Sequence, residues 1–130
     1  MPYTAVVLTE ESRETLLDRF TRKDIPEGWD IKAHHMTIDL KPVAKSMAAE
    51  MCGQTIEIEV VSLGVLMTDF EKTVGIMALG VECSAPSKND VKHITVAHHP
   101  EVKPKMSNEI TTWTPISPTF TITGVVQEVA

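Results

Sequence analysis

The feature that most constrains this chain is a tetrapeptide that occurs twice, as His35-Met36-Thr37-Ile38 and His93-Ile94-Thr95-Val96. In an extended strand, successive side chains point to opposite faces. Each copy therefore shows one imidazole and one hydroxyl on one face. Met36, Ile38 and Leu40 fall on the other face of the first copy, and Ile94 and Val96 on the other face of the second. Chance supplies roughly 0.1 such tetrapeptides in a chain of this composition, so two copies carry information. Two such strands side by side, each with its apolar face in a core, make a cleft with two histidines and two threonines.

The chain has 130 residues, which fits one domain over 1–130 with a sizeable core. At 42% apolar and 23% charged it reads as soluble and globular. Its formal charge of −6 argues against broad, non-specific binding to nucleic acid, which needs a basic surface. A small anionic ligand held by local groups remains compatible with that balance. Cys52 and Cys83 have no metal-site spacing, and the N-terminus reads as free of a secretory segment. Reduced thiols and a cytoplasmic location are therefore expected. No apolar run approaches membrane-spanning length, so no membrane association is expected.

Along the chain, Tyr3 to Leu8 predicts a strand buried on both faces. Thr9 predicts an N-cap, with Glu10 and Glu11 in the first turn of a helix running to about Phe20. Pro26 and Gly28 end the connection that follows. The first motif strand is expected over about Lys32 to Leu40. A second helix is expected from Pro42, with Ala44, Met47, Ala48 and Met51 at helical spacing and Gly53 as its stop. Thr55 to Val61 alternates as a strand with one solvated face, and Thr73 to Val81 reads as a central strand. The second motif strand spans about Val91 to His98. Glu101 to Pro118 reads mainly as loop, with one helical turn near Asn108 to Trp113. Phe120 to Val129 is the last strand, irregular at Gly124. This order predicts an α+β fold: a single compact domain of mainly antiparallel sheet with two helices. The motif is the only internal repeat. It suggests two pseudo-equivalent lobes, each with one His-x-Thr strand facing a shared cleft.

The paired His-x-Thr motifs resemble those of the two-histidine (2H) phosphoesterase superfamily, which includes RNA 2′,3′-cyclic phosphodiesterases and ligase-like proteins. The flanks Ala33–Ile38, His93–Pro100 and Ser107–Trp113 are similar to small members grouped near RNA-repair proteins. The resemblance implies a bilobal fold and a metal-independent site with no cofactor, in which His35, His93, Thr37 and Thr95 are catalytic. It implies an RNA end or a cyclic nucleotide as substrate. The chain departs from the family in being short, with its motifs close together. That bears on substrate-binding elements more than on the catalytic pair.

The chemistry suits these residues without the family. Hydrolysing a cyclic phosphate needs a base to deprotonate water and an acid to protonate the leaving oxygen. Histidine can do either near neutral pH. Which of His35 and His93 is acid and which is base stays open. Thr37 and Thr95 can donate to non-bridging phosphate oxygens. Lys88, Lys92, Lys103 and Lys105 form a modest basic neighbourhood around the second motif, as solvated loop lysines or as phosphate contacts. Lys103 and Lys105 are candidate substrate-binding residues. Ser107 and Asn108 are candidates of the same kind, or caps of a helical turn. Trp113 is a buried anchor or a stacking surface. His34 lacks a threonine two positions on and reads as structural, on the strand face opposite His35. His98 and His99 are adjacent and diverge in a strand, which speaks against a metal site. There is no Gly-rich phosphate loop and no nucleophile elbow. Two other functions fit the same residues: an inactive nucleotide- or RNA-binding module of this fold, and a protein-interaction module such as a defence inhibitor.

Overall fold

The computed structural model describes residues 2–20 and 25–130. The first strand, β1, is Tyr3–Leu8. Thr9 then caps α1 (Glu10–Arg19), its hydroxyl accepting from the Ser12 N–H at 3.1 Å, with Glu10 and Glu11 in the first turn. α1 buries Leu16, and its Ser12 hydroxyl accepts from the Thr123 N–H at 2.8 Å. Part of the connection expected between Phe20 and Pro26 lies outside the described residues.

The other strands are β2 (Asp30–Ile31), β3 (His35–Asp39), β4 (Thr55–Met67), β5 (Gly75–Cys83), β6 (His93–His98) and β7 (Trp113–Val129). Among the described residues all pairings are antiparallel, in the order β6-β3-β1-β7-β4-β5. β5 pairs back onto β6, which closes six strands into a barrel, and β2 lies beside β6 as a short extension. The α+β, mainly antiparallel expectation holds. Closure is the added feature, and it removes the sheet edges that would otherwise need protection.

Met36, Ile38, Ile94 and Val96 are fully buried, as the alternation predicts. They share one core with Val6, Ile58, Val60, Leu79 and Val126 from the other strands. Each such side chain contributes about 1.5–3 kcal/mol by leaving water. A smaller cluster of Ile76, Ala78, Val102 and Ile110, with Trp113 packed against it, fixes the segment after β6 onto β5. Among the described residues, no helix is long and apolar enough to cross a membrane.

Several local expectations are corrected. Helical backbone does occupy the segment from Pro42 to Gly53, but as two 3-10 turns, Val43–Lys45 and Ala49–Met51, rather than one continuous α-helix. Polar side chains compete with the helix there: the Ser46 hydroxyl donates to the Val43 carbonyl and accepts from the Ala48 N–H, and Asp39 accepts from the Met47 N–H. Leu40 does not join the apolar face, because β3 ends at Asp39 and leaves Leu40 78% exposed. β4 runs on past Val61 to Met67, and β7 begins at Trp113 rather than Phe120. Pro118 is tolerated because Pro115 faces Ser62 and Phe120 faces Val60, so residues 116–119 need no partner on β4. The helical turn is Pro104–Glu109, a little earlier than expected. Gly124 is in regular register; a Cβ there would lie 2.6 Å from a Val6 methyl and 2.9 Å from the Val7 carbonyl, so close approach explains the glycine.

Candidate active site

β3 and β6 meet at one register position, Met36 opposite Ile94. Those side chains enter the core, so their strand neighbours turn outward. His35 and Thr37 from β3, and His93 and Thr95 from β6, line one cleft of about 580 Å³ on the outer wall of the barrel. β1 forms its far edge, where Tyr3 Oη lies 3.4 Å from His35 Nε2. One wall is the segment through Lys88 and Asn89, held by the Lys88 N–H to the Ile38 carbonyl at 2.8 Å and the Ser87 hydroxyl to the Thr37 carbonyl at 2.8 Å. The other wall is Pro104–Glu109, which brings Lys105, Ser107 and Asn108 to the cleft. Lys103 is exposed and does not line it. Lys92 turns elsewhere, its Nζ donating to the Cys83 carbonyl at 2.9 Å.

His93 is held from both ends. Its Nδ1 is 2.7 Å from the Val91 carbonyl, an atom that only accepts, so Nδ1 carries a proton. In the neutral ring Nε2 is then a bare lone pair, 2.9 Å from the Ser107 hydroxyl. Ser107 is buried; it also accepts from the Thr95 hydroxyl at 3.1 Å and lies 2.9 Å from the Pro104 carbonyl. One hydroxyl has one proton. Ser107 can donate to neutral His93, or to Pro104 while accepting from a protonated His93. Burial pushes the His93 pKa down, partly offset by the Val91 carbonyl. His35 is pushed down to about 4, first by burial and then by the facing charges of His34 and His93.

His34 departs from expectation. Residues 31 to 36 face residues 97 to 94, so this edge carries two more residues than its partner. The Lys32 and Ala33 N–H groups continue the ladder to the Val96 and Thr95 carbonyls, and Ala33 then takes a φ of +45°. Such a bulge breaks the alternation and re-aims a side chain. His34 accordingly lines the same cleft as His35, its Nδ1 2.9 Å from His35 Nδ1.

Among the described residues, Lys32, Lys88 and Lys105 line the cleft against one carboxylate, that of buried Asp39. The site is thus locally basic within an acidic chain. Thr37's hydroxyl has no partner among the described residues and is available to a ligand. Trp113 packs in the smaller cluster with its ring 6.1 Å from that of His93, and lines an adjoining cavity of about 480 Å³. The described residues contain no group of three or more His, Cys, Asp or Glu side chains placed to hold a metal ion. Sequence patterns did not single out Tyr3, Lys32, Asn89 or the cleft role of His34. Only the folded contact of its phenol with His35 reveals Tyr3, and only the bulge reveals His34.

Fold and site together define a closed antiparallel barrel with a lysine-rimmed cleft on its outer wall that holds His34, His35 and His93. Comparison with family models, curated proteins and solved structures finds no match to the chain.

Proposed function

We propose that this protein is a metal-independent phosphodiesterase of the two-histidine type, hydrolysing a 2′,3′-cyclic phosphate at an RNA end or in a small cyclic nucleotide. One observation carries the proposal: the His35 and His93 imidazoles and the Thr37 and Thr95 hydroxyls share a cleft with Lys32, Lys88 and Lys105. Water attacks phosphorus as one histidine takes its proton. The bond to one ribose oxygen breaks, and the other histidine protonates that oxygen. Thr37 and Thr95 donate to the non-bridging oxygens, and the lysines attract the anion. In this account the two lobes are halves of the barrel wall that meet where β3 and β6 pair. The free thiols of Cys52 and Cys83 suit a reducing, cytoplasmic setting.

A second function has one specific observation in its favour. His93 Nε2 and the Thr95 hydroxyl are both satisfied by Ser107, without a ligand. That would suit a module that binds a phosphate end and leaves it intact. The deciding experiment incubates the purified protein with each 2′,3′-cyclic nucleotide and with RNA ending in a cyclic phosphate, and follows phosphorus-31 resonances. Conversion to a monophosphate ester supports the enzyme. Saturable binding with no conversion supports the module.

A further inference from the structure

The two adjacent imidazoles of the bulge pose a proton-counting problem. His34 Nδ1 and His35 Nδ1 are 2.9 Å apart. Two lone pairs at that distance repel and two N–H groups clash, so one proton lies between them. If His34 supplies it, His35 holds its own proton on Nε2, the nitrogen beside Tyr3 Oη. If His35 supplies it, Nε2 is bare.

We infer that His34 is the positioning partner of His35: its Nδ1–H fixes His35 as the Nε2–H tautomer, which makes His35 the acid and leaves His93 as the base. This rests on the phosphodiesterase proposal for its catalytic half only. Solvation argues for the direction. His34 is exposed and can carry an added proton in contact with water, whereas His35 is half-buried. Among the other groups facing the pair, His93 from β6 disfavours a second charge on His35, and Lys32, Lys88, Lys105 and the Asp39 carboxylate line the rest of the cleft. Tyr3 from β1 is the neutral neighbour, and burial holds its phenol above the ordinary range. Arg13 of α1 is engaged with the Lys32 carbonyl at 3.3 Å.

The proton balance closes. Protonated His34 starts with two N–H groups and His35 with one, on Nε2. As the ribose oxygen leaves phosphorus it takes the Nε2 proton, and His35 Nδ1 takes the Nδ1 proton of His34. His34 ends neutral with its outer N–H, and solvent reprotonates it. His35 thus delivers a proton without ever holding two. On the other side, the Val91 carbonyl fixes His93 with a bare Nε2, which a base requires.

Two-bond proton–nitrogen NMR of the whole protein at neutral pH tests the tautomer, whether or not turnover is found. His35 should show a bare Nδ1 and a protonated Nε2. His34→Asn, which keeps an N–H donor, should preserve that pattern, and His34→Ala should lose it. A protonated Nδ1 on His35 in the wild-type protein overturns the assignment. Kinetics test the catalytic half. His34→Ala should lower kcat on a 2′,3′-cyclic nucleotide about 10²-fold, with a far smaller change in KM. The loss should shrink at least about tenfold on a nucleoside p-nitrophenyl diester, whose leaving group needs no proton. Equal losses on both substrates would overturn the role of His34. Absence of turnover in the wild-type protein would instead defeat the phosphodiesterase proposal and leave the tautomer result standing.

Discussion

Met36 stands opposite Ile94 where β3 and β6 pair, and both side chains are fully buried. Because strand faces alternate, this one apolar contact sets where two histidines and two threonines emerge. The cleft is therefore as stable as the core beneath it. Met36→Ala would remove buried volume at the seam and should destabilise the fold by about 2–5 kcal/mol. Urea unfolding measures that cost. A change below about 1 kcal/mol would show that the seam does not depend on this pair.

Folding stability should depend on pH through the two histidines. Both pKa values are lowered in the folded chain, His35 to about 4. Above the unfolded value of about 6.5 both states are neutral and the stability is fully present. As pH falls towards about 4, the unfolded chain binds protons that folded His35 refuses, and stability is lost. The melting temperature should drop over that window, and His35→Gln should flatten part of the drop. An unchanged slope in the variant would contradict the placement of His35 in a desolvated cleft.

Ser107 should matter twice. Ser107→Ala leaves His93 Nε2 and the Thr95 hydroxyl without their shared partner in a largely dry site. The cost should be about 1–3 kcal/mol of stability, read by denaturant titration. Turnover should fall less than in His93→Ala, because the base itself survives.

The threonines and lysines should separate binding from chemistry. Thr37→Val and Thr95→Val should each slow turnover by less than the neighbouring histidine variant, since each removes one phosphate donor and leaves proton transfer intact. Lys105→Ala should raise KM several-fold, with an effect that weakens in high salt. Lys103→Ala, outside the cleft, should change KM little. A larger effect at Lys103 than at Lys105 would place the substrate elsewhere.

Much of this architecture was legible in the sequence because side-chain alternation is a local signal. Met36, Ile38, Ile94 and Val96 lie inside as the pattern predicts, and Thr9 caps α1. Features that depend on long-range register were not legible. Nothing local to Ala33 announces its positive φ, so the bulge that turns His34 into the cleft was hidden, and His34 read as a structural residue on the face opposite His35. Barrel closure is a pairing between β5 and β6 that no periodicity encodes. Pro115 and Pro118 argued for loop, yet β7 passes through both: Pro115 still faces Ser62, and Pro118 falls in the stretch 116–119 that has no partner on β4. The Pro42–Gly53 segment had helical spacing, but Ser46 and Asp39 give its backbone other partners.

The most direct test of the central claim is the rate of 2′,3′-cyclic phosphate hydrolysis by wild-type protein, His35→Ala, His93→Ala and the double variant, all assayed with a strong chelator present. Wild-type protein should keep its activity under the chelator. Each single variant should fall about 10²–10⁴-fold while remaining folded. The double variant should be little worse than either single one, because acid and base act as a unit. Activity that survives in the folded double variant, or that the chelator abolishes and added zinc restores, would contradict a metal-independent two-histidine mechanism.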